Sequence, residues 1–197
     1  MSSPRRFVLV LGGARSGKSD LAQKLAMDMP EPVVFMATAE AGDSDMSRRI
    51  EAHRRARPVA WRTLEAPLRV ADALDAGAGG AGTVIIDCVT LWVSNALGAA
   101  SPLGWEQPDG AAARSLLEAE LGALHDWYRG TRASLIVVSN EVGLGIVPDN
   151  AAARAYRDLL GWANQRLAAV ATEVYLVVAG IPVDLKRLAI RPWRQET

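Results

Sequence analysis

The sequence has a single cysteine, only two histidines and no excess of either charge, with 22 Lys and Arg against 22 Asp and Glu in 197 residues. Each scarcity excludes something. One thiol, Cys88, cannot close an internal disulfide, and its place in the apolar run TVIIDC fits a reducing compartment, so a cytoplasmic location is expected. A balanced charge offers no global field to recruit nucleic acid or an anionic membrane, and any use of positive charge must be local. No apolar stretch approaches the span of a bilayer. The N-terminal run FVLVL is too short for the apolar region of a signal peptide. Neither a nucleic-acid partner nor membrane insertion is expected.

Half of the residues are hydrophobic, enough at this length for one sizeable core, and a single domain over 1–197 is expected. Short runs rich in branched residues recur at Phe7–Leu11, Val33–Ala37, Thr83–Cys88, Leu135–Ser139 and Val174–Val178 and read as buried strands. Between them, helical periodicity marks Lys18–Met27, Asp45–Arg55, Leu68–Leu74, Ala111–Tyr128 and Ala151–Ala171. Strands that alternate with helices need crossover connections, which imply an α/β fold with a mostly parallel central sheet flanked by helices on both faces. GAGGAG at 77–82 reads as a link and GAASPLGWEQPDG at 98–110 as a loop, and neither is long enough to separate domains.

The segment GGARSGKS, residues 12–19, satisfies G-x-x-x-x-G-K-[ST], with a strand before it and an amphipathic helix after it. Glycines in such a loop let backbone N–H groups converge on phosphate oxygens at a helix N-terminus, where the macrodipole favours negative charge. Lys18 is then expected to reach the β- and γ-phosphates and Ser19 to bind Mg²⁺; a plain strand-to-helix turn is the bland alternative. Asp87 ends the strand TVIID. Alone it would read as a turn or cap residue; beside a phosphate-binding loop it reads as the second Mg²⁺ ligand, through water. In VVSNEVGLGIVPDN, Asn140 and Glu141 fall at the end of the fourth strand. Ligands of parallel sheets bind at the carboxyl ends of strands, so both are substrate candidates, alongside the reading of a turn before a helix capped by Asp149 or Asn150.

RRIEAHRRARP, residues 48–58, sets His53 among arginines. Met46, Ile50 and His53 share one helical stripe, so a partly buried structural histidine beside a solvated arginine face is one reading. The other is nucleophilic. Neighbouring cations disfavour imidazolium, and a neutral imidazole can attack phosphorus to give a nucleotidyl–histidine intermediate. From the residues alone both stay open. His125, in ALHDWYRG, reads as a surface or dipole-compensating histidine.

With LVLGGARSGKS, MATAE, RRIEAHRRARPVAWRTLE, IIDCVTLWVSN, VSNEVGLGIVP and NQRLAAVATEVYLVVAGIPV in place, nearly the whole chain resembles one family. This is the bifunctional adenosylcobinamide kinase/adenosylcobinamide-phosphate guanylyltransferase family of cobalamin synthesis. The resemblance implies a P-loop NTPase (RecA-like) fold. It implies phosphorylation of adenosylcobinamide with ATP or GTP, then transfer of GMP from GTP to the phosphate through a GMP–histidine intermediate, for which the matching residue is His53. The nucleotide contacts it implies are Gly12, Gly13, Ala14, Arg15, Ser16, Gly17, Lys18 and Ser19; Ala37, Thr38 and Ala39; Arg54, Arg55, Ala56 and Arg57; Glu65; and Asp87. Glu65 could accept the N1–H and exocyclic amine of guanine. Family members form propeller-like trimers, so a homotrimer is expected. Two other readings remain: a P-loop small-molecule kinase without nucleotidyl transfer, and a GTP-dependent regulatory switch.

Overall fold

The structure, a computed structural model, describes residues 4–39 and 57–190. Strand β1 (Phe7–Gly12) leads into helix α1 (Lys18–Met27), followed by β2 (Val33–Ala37), β3 (Arg62–Glu65), α2 (Val70–Gly77), β4 (Thr83–Asp87), α3 (Val89–Ala100) and α4 (Gly110–Gly130). Then come β5 (Ser134–Asn140), α5 (Ala151–Val170), β6 (Glu173–Val178), β7 (Ile181–Asp184) and α6 (Leu185–Leu188). The strands form one sheet in the order β3-β2-β4-β5-β1-β6-β7. Neighbouring strands are parallel except β6 and β7, which form an antiparallel hairpin.

Parallel strands covered on both faces need apolar residues at every position, and FVLVLG is buried throughout. Side chains still alternate between faces. Leu9, Leu11, Ile86, Leu135 and Val137 enter the larger core, which α2, α3, α4 and α5 cover. Val8, Val10, Ile85, Ile136 and Val138 enter a smaller core against α1, where Ala22 and Ala26, one turn apart, let the helix approach the sheet. At the centre of the larger core Trp92 is fully buried, and its indole N–H donates to a Glu120 carboxylate oxygen at 3.0 Å. The same carboxylate accepts the Arg69 and Val70 amides at 2.9 and 3.4 Å. It thus caps α2 from a neighbouring helix, because Arg69 at the N-cap position makes no side-chain cap of its own.

The α/β architecture with helices on both faces is as expected, and the sheet has seven strands rather than five. β3 is a polar edge strand, exposed or half-buried along its length, so no apolar run marks it. β7 follows β6 through a two-residue turn, Ala179–Gly180, both at positive φ (52° and 81°), the backbone that a tight hairpin requires. VTLWVSNALGAA is helix α3, which carries the chain to Ala100 within the stretch expected to be a loop. Cys88 sits at its N-cap position rather than ending β4. The helix expected over Asp45–Arg55 lies outside the described residues. Among the described residues no helix is long and apolar enough to cross a membrane.

Candidate nucleotide site

β1 ends at Gly12 and α1 begins at Lys18, so residues 13–17 turn the chain over the carboxyl edge of the sheet. Gly12 has no room for a side chain: a Cβ there would lie 2.5 Å from Ser16 Oγ and 2.7 Å from the Val177 carbonyl. Gly17 holds φ at 93° as the N-cap of α1 and makes no side-chain cap, which leaves the first amides of the helix directed at whatever occupies the loop. The loop is braced from outside by the β6–β7 turn. Gly180 N–H donates to the Ser16 carbonyl at 2.8 Å, and a Cβ on Gly17 would approach Gly180 Cα to 3.3 Å. The brace escaped the sequence reading; its signal was the Ala-Gly pair between two branched runs. Gly13, Ala14 and Arg15 are exposed, and Lys18 and Ser19 are half-buried. Lys18 Nζ donates to the Gly13 carbonyl at 3.1 Å.

Register places the remaining groups. Gly12 pairs with Asn140, Ala37 with both Glu65 and Asp87, and Asp87 with Val138. Alternation from Ile85 and Val138 puts Asp87 and Asn140 on the α1 face, beside the phosphate loop. Glu65 is exposed at the far edge, and strand spacing of ~4.8 Å sets it ~10 Å from Asp87 and ~19 Å from β1. Arg57 packs over β2 and β3, its guanidinium 3.5 Å from the centre of the Phe35 ring and its Nη1 3.4 Å from Thr63 Oγ1. His53, Arg54, Arg55 and Ala56 lie outside the described residues.

Thr38 joins the ends of β2 and β4. Its buried hydroxyl donates to the Cys88 carbonyl at 2.7 Å and accepts the Cys88 amide at 2.9 Å. Its carbonyl accepts Asn95 Nδ2 at 2.8 Å, and the same amide donates to Pro67 O at 3.1 Å. Ala39, half-buried, ends the described part of this segment. The Thr38 side chain therefore fixes the backbone beside Asp87, and Asn95, which the sequence does not single out, completes the link. Thr38→Val keeps the shape and leaves the buried Cys88 amide without its partner, while the Cys88 carbonyl keeps the Trp92 amide at 3.2 Å. A loss of about 2 kcal/mol is expected, seen as a lower denaturant midpoint at unchanged slope; a loss below about 0.5 kcal/mol would contradict this account.

A second network holds the end of β5. Ser139 Oγ donates to Asn164 Oδ1 at 2.6 Å, Asn164 Nδ2 donates to the Asn140 carbonyl at 2.9 Å, and the Asn140 amide donates to Thr90 Oγ1 at 3.1 Å. The Glu141 amide donates to the Gly12 carbonyl at 3.1 Å, and Glu141 Oε1 accepts the Gly143 amide at 2.6 Å. Asn150 is the residue that caps α5, accepting the Ala153 amide at 2.7 Å. Beyond β4, burial and then the charge of Asp87 push the Cys88 thiol up to about 11, so it stays protonated at neutral pH. Burial, and then Cys88, raises the Tyr156 phenol, whose hydroxyl meets the Thr90 carbonyl at 3.4 Å. His125 is half-buried rather than superficial: its enclosed Nδ1 has no partner among the described residues. It lines a hollow of about 240 Å³ with Phe7, Leu121, Trp162 and Leu167, beside the start of β1 and away from the strands' carboxyl ends.

A glycine-pinned loop between strand and helix, with an acid ending a nearby parallel strand, defines the P-loop, RecA-like α/β fold. An ATPase from the type III secretion system of pathogenic bacteria shares this fold at a TM-score of 0.55 and 11% identity, covering 96% of this chain and 60% of its own. The family model for cobinamide kinase / cobinamide phosphate guanyltransferase matches residues 8–185. The bifunctional adenosylcobalamin biosynthesis protein CobP of Pseudomonas aeruginosa is 44% identical over 178 residues, 90% of this chain and 96% of that protein. The bifunctional adenosylcobalamin biosynthesis protein CobU of Salmonella typhimurium is 40% identical over 184 residues, 91% and 99% respectively. The chain belongs to the cobinamide kinase / cobinamide phosphate guanyltransferase family.

Proposed function

We propose that this chain phosphorylates the aminopropanol hydroxyl of adenosylcobinamide with ATP or GTP and then transfers GMP from GTP to the new phosphate, releasing pyrophosphate. The observation that carries the reading is a braced phosphate loop on the same face of the sheet as Asp87, in a chain matched to this family from residue 8 to residue 185. In the kinase step the loop amides and Lys18 bind the β- and γ-phosphates and offset the charge spread over the transferring group. Ser19 and Asp87 offer hard oxygen donors, which fit Mg²⁺. Among the described residues no cluster of three His, Cys, Asp or Glu could hold an ion unaided, so phosphate oxygens and water would complete its shell. Bound there, Mg²⁺ would neutralise phosphate charge.

In the transfer step His53 attacks the α-phosphorus, pyrophosphate leaves, and cobinamide phosphate displaces the histidine. Splitting the reaction avoids the direct meeting of two polyanions. Arg57, four positions after His53, is anchored on Phe35 over the same face as Asp87, which suits a nucleotide-binding role for the arginines 54, 55 and 57. The separation of Glu65 from the phosphate loop along the strand ends supports a role for it in reading the guanine edge. Ala37, Thr38 and Ala39, at the end of β2 between β3 and β4, are assigned to the same nucleotide site. We also assign a cytoplasmic location and a homotrimeric assembly, both resting on the family likeness. The test is turnover of adenosylcobinamide with ATP, GTP and Mg²⁺, followed chromatographically. Cobinamide phosphate and then GDP-cobinamide are expected, with ping-pong kinetics in the second step; binding of nucleotide with neither product would overturn the assignment.

A further inference from the structure

We propose that the Glu141 carboxylate accepts the proton of the attacking hydroxyl in the kinase step; this rests on the function proposed above. The phosphate loop, the start of α1, Asp87 and Asn140 occupy one face of the strand ends. In-line transfer places the acceptor opposite the leaving nucleoside diphosphate, toward the other face, where α3 packs on β5 and α5 meets the end of β5 through Asn164. Thr90 and Tyr156 lie there, with Glu141 just past the end of β5. Thr90 already receives the Asn140 amide, and the Tyr156 hydroxyl is turned to the Thr90 carbonyl. Burial keeps the phenol protonated, so it cannot take a proton at neutral pH.

Glu141 differs in each respect. Its amide is bonded to Gly12, which ties its position to the phosphate loop with a single hydrogen bond between them. It is the first residue past β5, next to Asn140, whose carbonyl accepts the Asn164 amide of α5. One carboxylate oxygen is held by the Gly143 amide, while the other has no hydrogen-bond partner among the described residues. Gly143 keeps that arrangement possible, since a Cβ there would come within 2.9 Å of Glu141 Oε1. In the step, the hydroxyl proton passes to Glu141, the oxygen forms a bond to the γ-phosphorus, and the bond from that phosphorus to the β-bridging oxygen breaks. The nucleoside diphosphate leaves with the electron pair. Positioned proton transfer of this kind contributes roughly 10²–10⁴-fold.

The experiment compares wild type with E141Q, which keeps shape and removes the base, and with E141D, which keeps the base and shortens its reach. Three readouts are taken: phosphorylation of adenosylcobinamide at saturating ATP, the Kd for ATP, and labelling of the protein by α-labelled GTP. For E141Q the expected result is a fall in phosphorylation kcat of about 10²-fold or more, with Kd and labelling within threefold of wild type. E141D should fall between the two. A kcat for E141Q within threefold of wild type overturns the proposal, as does parallel loss of nucleotide binding, which would mark a structural role. If wild type binds ATP and phosphorylates no cobinamide, it is the function proposed above that fails, and this inference falls with it.

Discussion

His53→Ala is expected to abolish guanylyl transfer while the kinase step continues. Wild type incubated with GTP labelled at the α-phosphate should carry label that survives alkali and is lost in acid, as a phosphorus–nitrogen bond requires. The variant should carry none. In the proposed route the His53 imidazole forms the covalent intermediate, so its removal should lower GDP-cobinamide formation by at least about 10⁴-fold. The proposed kinase step uses the braced loop, Lys18 and Asp87, none of which a change at residue 53 removes, and its kcat should stay within severalfold of wild type. This separates the two remaining readings from the sequence. A kinase with a structural histidine would show no label in either protein, and a regulatory switch would bind GTP and form neither product. Label that persists in the variant would move the nucleophile elsewhere.

The phosphate loop, its flanking strand and helix, and the acid ending β4 were legible in the sequence because each is written locally. Glycines at fixed spacing and a continuous run of branched residues are set by the backbone's own steric limits. What escaped depends on contacts between segments distant in sequence. The brace of Gly180 on Ser16 joins residues 164 positions apart, and nothing near either one announces the other. Asn95 and Asn164 are mid-helix amides whose value lies in the carbonyls they meet, Thr38 and Pro67 in one case and Asn140 in the other. β3 was missed for a different reason: an edge strand with polar residues needs only one neighbour, so its sequence is free of the apolar run that signals a central strand. Helix α3 did carry a signal, with Val89, Trp92, Val93, Ala96 and Leu97 buried at helical spacing. Its β-branched residues and the asparagine obscured it.

Lys18→Ala should produce the larger loss in the kinase step, with little change in stability. In the structure the ammonium group makes one hydrogen bond, to the Gly13 carbonyl, and the side chain is half-buried, so its removal opens no cavity in either core. The thermal midpoint should shift by no more than a few degrees. Transfer is another matter. With little covalent chemistry for the protein to perform, rate comes from charge placed where the γ-phosphoryl group carries it in the transition state. Loss of one such preorganised donor costs about 10²–10³-fold in kcat, and a full positive charge in a site walled by the sheet end and α1 belongs at the upper end of that range. Lys18→Arg should rescue poorly. The planar guanidinium is bulkier than an ammonium and presents a fork of donors where the phosphates need a compact point charge. Single-turnover phosphorylation with saturating ATP, set beside the thermal midpoint of each variant, checks both halves of the expectation. A kcat for Lys18→Ala within threefold of wild type would mean that the backbone amides of the loop suffice to stabilise the transferring group.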